Sequence, residues 1–175
     1  WSIVSRNLER IYELTMNMLA YSKQRKPELE MTNLAPLMEE IVQLMQGQFD
    51  NKKVALITDF AQDIPPVPID INGIHQAVLN LLNNALDAVP ENDGAVVLHT
   101  SYDDQLSKVK DAVTDNGEGI DEERIKRLFQ PFNSSKGLKG TGLGLVVTRK
   151  IVQEHGGTVE VESKPDDGST FTILL

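Results

Sequence analysis

Half of the chain's twelve glycines, Gly117, Gly119, Gly137, Gly140, Gly142 and Gly144, fall between Asp115 and Gly144. Glycine weakens helix and strand interiors and marks places where a backbone turns tightly or approaches a ligand. No long element can cross this stretch, and only a short helix around 122–129 interrupts it. A loop region of that extent in a compact domain is a functional one. The elements that hold it in place must come from either side.

The 175 residues are about one domain's worth and suffice for one good core. Hydrophobic residues at 40% and charged residues at 25% are ordinary for a globular protein and exclude a disordered tail. The net charge of −9 repels nucleic-acid phosphates, so no nucleic-acid partner is expected. With no Cys there is no disulfide framework, thiolate zinc site or cysteine nucleophile. No apolar run is long enough to span a membrane, and Trp1-Ser2-Ile3-Val4-Ser5-Arg6 lacks the order of a signal peptide. No membrane contact is expected of this segment, which is assigned to the cytoplasm even if the full-length protein is membrane-anchored. The chain lacks an initiator Met and reads as a piece of a longer one.

From Ser2 to Lys26 there is no Gly or Pro, and Val4, Ile11 and Met18 recur every seven residues, with Leu14 and Tyr21 three positions after the last two. This spacing predicts one long helix whose apolar stripe packs on another helix. Pro27 ends it, dividing the chain into 1–27 and a domain over 28–175. Glu28 to Thr32 alternates as a short strand, and Asn33 is placed to cap a helix from Leu34 to about Asp50. A strand over 53–60, an extended connector through Ile64-Pro65-Pro66-Val67-Pro68 and a helix capped by Asp70 follow. Ala95–Tyr102 and a strand ending near Thr114 read as a hairpin, a helix runs from Leu145 to His155, and Thr158–Ser163 and Ser169–Leu174 make two last strands. Asp111 interrupts the alternation of Val109 and Val113, which predicts a bulge, an edge position or local disorder.

Three motifs carry chemistry. Asn80-Leu81-Leu82-Asn83-Asn84-Ala85-Leu86-Asp87-Ala88 sets Asn80, Asn84 and Asp87 on one face of the helix, opposite Leu79, Leu82 and Leu86. Amide oxygens bind a hard cation such as Mg²⁺ without adding negative charge beside phosphates, although a solvated helix surface shows the same pair. Asp115-Asn116-Gly117-Glu118-Gly119-Ile120 places a carboxylate at a strand end, able to accept from a purine amine. An acidic turn has the same composition, while a calcium loop fails on the position of its glutamate. Gly140-Thr141-Gly142-Leu143-Gly144-Leu145 opens a helix, where backbone N–H groups can meet phosphate oxygens; it is neither a Rossmann nor a P-loop spacing. Between the last two lie the basic residues Arg124, Lys126, Arg127, Lys136 and Lys139, with Phe129, Pro131 and Phe132 as apolar anchors. That stretch reads as a lid that neutralises phosphate charge.

The ordered set NLLNNALDA, DNGEGI, LFQPF and GTGLGL resembles the N, G1, F and G2 boxes of the GHKL superfamily, in particular the catalytic ATP-binding domain of bacterial sensor histidine kinases. The resemblance covers about Glu28 to Leu175. Tyr21-Ser22-Lys23 and Pro27 on the leading helix resemble the second helix of the kinase dimerisation and histidine-phosphotransfer domain. It implies an α/β two-layer sandwich, a mixed sheet with helices on one face. It implies an ATP site in which Asn84 holds Mg²⁺, Asn80 supports the metal and phosphate region, Asp115 reads the adenine amine, and Gly117, Gly119, Ile120 and Phe132 shape the pocket. Gly140, Thr141, Gly142, Leu143 and Gly144 would cradle phosphates, and Lys136 would reach the γ-phosphate. Asp87 is counted among the ATP-binding residues, although it stands where many sensor kinases carry a basic residue.

The resemblance further implies a homodimer through the leading helix and a response-regulator receiver domain as partner in a phosphorelay. His75, His99 and His155 all lie outside the acceptor context, so the chain is expected to donate phosphoryl groups without autophosphorylating. ATP clamps of the gyrase, mismatch-repair or chaperone type share the fold but carry a hydrolytic Glu where this chain has Asn80. An anti-sigma type serine kinase and a non-catalytic nucleotide-binding or dimerisation module also fit the same motifs.

Overall fold

The computed structural model describes residues 11, 15, 17–19, 26–133 and 142–175. The stripe positions Val4, Leu14 and Tyr21 and the motif residues Ser22 and Lys23 lie outside them, and so do the lid residues Lys136, Gly137, Lys139, Gly140 and Thr141. Past Pro27 the chain forms β1 (Glu30–Thr32) and then α1 (Leu34–Lys52), whose Asn33 cap accepts a hydrogen bond from the Ala35 N–H at 3.1 Å. Strands β2 (Ala55–Phe60) and β3 (Val67–Ile69) precede α2 (Ile71–Ala88), capped by the Asp70 carboxylate on the Gly73 N–H at 3.0 Å. The proline-rich connector is thus partly a strand, β3, pairing with β1 in a separate two-stranded sheet.

Strands β4 (Ala95–Asp103) and β5 (Lys108–Asp115) form the expected hairpin. After the single turn α3 (Glu122–Ile125) and the longer α4 (Gly144–Glu154), β6 (Thr158–Ser163) and β7 (Ser169–Leu174) close the chain. The main sheet has the order β2-β4-β5-β7-β6, with β2 parallel to β4 and the other neighbours antiparallel. The long crossover through β3 and α2 makes the parallel pair possible. This is the mixed, two-layer α/β architecture expected from the sequence.

Alternation along the strands decides which face is covered. Val96, Leu98, Val109, Val113, Phe171 and Ile173 are buried toward the helices, and they meet Met38, Ile41, Met45 and Phe49 of α1 and Ile74, Val78, Leu81 and Leu82 of α2 in one core. Ile57, Thr114, Thr158, Glu160 and Glu162 on the other side stay exposed. The described residues of the leading helix include Ile11 and Met18, 60% and 52% exposed, whereas Asn17 is buried against α2, its Oδ1 accepting from Gln76 Nε2 at 3.3 Å. No helix among the described residues is long and apolar enough to cross a membrane.

Asp111 overturns one expectation. It sits neither at an edge nor in a bulge but in the central strand, in regular register with Thr100 and Ile173 and only 1% exposed. The ladder hydrogen bonds on both sides hold the strand straight, so the side chain goes into the core with its apolar neighbours. Neither carboxylate oxygen has a hydrogen-bond partner. Burial pushes its pKa up to about 6, an effect that the facing Thr100 hydroxyl offsets only in part, without a well-formed hydrogen bond.

Candidate ATP-binding site

Helices α2 and α4 pack side by side, and polar groups tie them at the end where α4 begins. Asn80, 5% exposed, donates from Nδ2 to the Gly144 carbonyl at 3.2 Å and approaches the Thr148 hydroxyl at 3.5 Å. Thr148 Oγ1 in turn donates to the Ala77 carbonyl at 3.4 Å. The Asn80 side chain therefore supports the first turn of α4, where free backbone N–H groups and the positive helix end collect. Thr148, which the motif reading passed over, completes that seam; nothing in its spacing distinguishes it from an ordinary helical threonine.

One turn further along α2, the Asn84 Nδ2 is buried and has no partner. The two ends of an amide are alike in shape, so this position can offer Nδ2 to a phosphate oxygen or Oδ1 to a cation. Among the described residues no cluster of three His, Cys, Asp or Glu side chains could hold a metal. An amide ligand completed by phosphate oxygens is the donor set that fits Mg²⁺ here. Asp87 diverges from the two asparagines: it is half-exposed and pairs with Lys52 Nζ at 3.2 Å, the same ammonium donating to the Leu86 carbonyl at 3.2 Å. Lys52, at the last turn of α1, was not legible as a site neighbour.

Asp115 ends β5, 5% exposed, and its Oδ1 accepts from the Gly117 N–H at 2.8 Å. The loop after it is fixed from three sides. Asn116 Oδ1 accepts from the Ala95 N–H at 2.8 Å and Nδ2 donates to the Asp93 carbonyl at 3.2 Å. A Cβ at Gly117 would lie 2.5 Å from the Ala88 carbonyl at the end of α2. Gly119, at φ +65°, abuts the Lys164 carbonyl so closely that any side chain would collide with it. Ser163 Oγ accepts from the Ile120 N–H at 2.8 Å and donates to the Gly168 carbonyl at 2.7 Å. Asn116 and Ser163 hold the loop; the sequence reading assigned neither a role.

The stretch between the two glycine motifs leaves and returns at one point. The Phe132 N–H donates to the Gly142 carbonyl at 3.1 Å, and a Cβ at Gly142, φ +64°, would lie 2.7 Å from the Phe132 carbonyl carbon. Phe132 itself is 73% exposed and Leu143 is 2% exposed, so of these two pocket candidates only Phe132 presents its side chain outward. Arg149 of α4 stacks on the Phe129 ring at 5.4 Å. Arg124, Lys126 and Arg127 each lie within 4 Å of Glu118 or Glu123. These three cations have acidic neighbours, and Lys136, Gly140 and Thr141 lie outside the described residues.

A mixed sheet under three helices, α1, α2 and α4, with a buried amide, a buried carboxylate and a glycine-bounded loop gathered at one end, defines a nucleotide-binding domain. The chain belongs to the family described as "Histidine kinase-, DNA gyrase B-, and HSP90-like ATPase", which matches residues 69–175, and ATP binding goes with that membership. Sporulation kinase E of Bacillus subtilis (strain 168) is 31% identical over 175 residues, all of this chain and 23% of that protein. This chain thus spans less than a quarter of that relative's length. The catalytic domain of histidine kinase ThkA in a nucleotide-free form superposes with a TM-score of 0.74 at 29% identity, covering 85% of this chain and 95% of that one. ThkA in complex with response regulator protein TrrA matches with a TM-score of 0.81 at 28% identity, over 99% of this chain and 49% of that one.

Proposed function

We propose that the chain is the phosphoryl-donating part of a sensor histidine kinase, passing the ATP γ-phosphate to a histidine on a dimerisation helix outside this sequence. A response-regulator receiver domain then takes the group from that histidine. The response-regulator complex of ThkA supports the second step. In this reading Asp115, with Gly117, Gly119 and Ile120, receives the adenine. Asn84 holds Mg²⁺, which when bound neutralises charge on the phosphates. The loop through Gly140, Thr141, Gly142, Leu143 and Gly144 holds the phosphate chain, and Lys136 reaches the γ-phosphate. Phosphoryl transfer asks mainly for positioning and charge neutralisation, which this set of groups supplies.

One observation carries the choice of a kinase over an ATP-hydrolysing clamp. Asn80, where a clamp has its water-activating Glu, is an amide already donating to Gly144. An amide cannot take a proton from water. The test is transfer of label from ATP, with Mg²⁺, to a separate dimerisation domain that carries an acceptor histidine. Label should reach that domain and be lost with Asn84→Ala. Phosphate released by the unsubstituted chain alone, with none on the acceptor, would instead establish an ATPase.

A further inference from the structure

We infer that His155, at the far end of α4, is a positioning residue for the phosphate-binding end of the site; the inference rests on the ATP site just described. The Asp70 backbone N–H donates to His155 Nε2 at 2.8 Å, and His155 Nδ1 meets the Ile151 carbonyl at 2.7 Å. A backbone N–H is only a donor and a carbonyl only an acceptor, so Nε2 is the bare nitrogen and Nδ1 carries the proton. Both edges of a neutral ring are committed, one to its own helix and one to the cap of α2.

Asp70 is itself a fixed point. Its Oδ1 accepts from Gly73 and its Oδ2 from the Glu28 N–H at 3.2 Å, where the chain enters the domain from Pro27. Gly73 lets the two helices come close at this point: a Cβ there would lie 3.3 Å from Ile151 Cγ2 and 3.4 Å from His155 Cε1.

The contacts between α2 and α4 run in opposite senses. Asp70 and Gly73 face His155 and Ile151, Ala77 faces Thr148, and Asn80 faces Gly144. Three polar rungs therefore set how far α4 can slide along α2. The rungs at Asn80 and Thr148 span 3.2 to 3.5 Å, whereas the His155 rung is 2.8 Å and draws on a cap residue whose carboxylate is bonded to both Gly73 and Glu28. The end rung fixes the helix axially, and with it the first turn of α4 at Gly144 relative to Asn84. A slide of even a fraction of the roughly 1.5 Å rise per residue would misplace backbone donors aimed at phosphates. Asp115 sits on β5 and is not part of this seam.

That separation supplies the test. The 175-residue chain is titrated with ATP plus Mg²⁺ and, separately, with adenosine, which has no phosphates. The unsubstituted chain should bind ATP more tightly. His155→Phe, which fills the space without an acceptor, and His155→Asn, which keeps a donor toward Ile151 but cannot reach Asp70, should each weaken ATP at least about fivefold while leaving adenosine within about twofold. His155→Gln, whose Oε1 can replace Nε2, should recover most of the loss. Equal losses for both ligands, no loss for either, or failure of both the Phe and Asn variants to fold would overturn the assignment. If the unsubstituted chain showed no preference for ATP over adenosine, the phosphate site itself would fall, and this role with it.

Discussion

Asp111 is a carboxylate without a partner in the middle of a sheet, and its titration can be read as stability. The carboxyl ionises near pH 3.8 when exposed and at about 6 when buried here. Between those values the folded chain keeps a proton that the unfolded chain has released, so folding is favoured most below pH 4 and loses ground as pH rises through 6. At about 1.4 kcal/mol per pH unit, the gap amounts to something on the order of 3 kcal/mol. Asp111→Asn removes the ionisation and keeps the shape. It should be more stable than the parent at pH 8 by about 1–3 kcal/mol, and the advantage should vanish near pH 4. Urea unfolding of both proteins at the two pH values decides it; parallel pH dependence would remove Asp111 as the cause. The sequence exposed the anomaly, because a charged residue broke a clean alternation, but pointed to the wrong consequence. Period-two patterning fixes the face on which a side chain lies, whereas the neighbouring strands, invisible in a local pattern, decide whether the strand yields.

The same division holds for whole elements. Caps at Asn33 and Asp70, the hairpin and both terminal strands were legible because each is written in a local code of cap, turn or alternation. What local codes could not supply is the support between elements. The turn joining β6 to β7, Pro165-Asp166-Asp167-Gly168, props up the loop after Asp115 together with Ser163 and Lys164, the Asp166 N–H donating to the Glu118 carbonyl at 2.8 Å. Glycines 117 and 119 were assigned to the adenine pocket; their steric obligation is to Ala88 and Lys164. Ser163→Ala strips a partner from both the Ile120 N–H and the Gly168 carbonyl and should cost about 1–2 kcal/mol. Gly119→Ala adds a left-handed backbone conformation to a backbone collision and should cost more, about 2 kcal/mol or beyond. Both should weaken adenosine binding along with ATP, the reverse of the pattern expected at His155. Thermal melts paired with adenosine titrations check this, and intact adenosine binding in a destabilised Gly119→Ala protein would detach the turn from the pocket.

At the scale of the molecule, the contact that the described residues show between the leading helix and the ATP-binding domain, at Asn17, is weak. Asn17 is buried with its Nδ2 unpartnered and only a 3.3 Å bond to Gln76 at Oδ1. Buried amides left half-satisfied destabilise the contact that buries them. Among the described residues of the same helix, the apolar Ile11, Met18 and Leu19 are turned to solvent at 60%, 52% and 58% exposure. Ile11 and Met18 are one heptad apart, so two copies of the helix could bury both pairs along a single seam. Burying four such side chains contributes about 1.5–3 kcal/mol each, against an association cost of about 4–15 kcal/mol. The dimer these residues can support is a weak one. Sedimentation of the 175-residue chain should therefore show a mass that climbs toward the dimer at high micromolar concentration, and Met18→Glu, which sets two carboxylates face to face in the seam, should return it to monomer with the melting temperature of the ATP-binding domain unchanged. A monomeric mass for the unsubstituted chain at every concentration would mean that Ile11 and Met18 do not drive self-association.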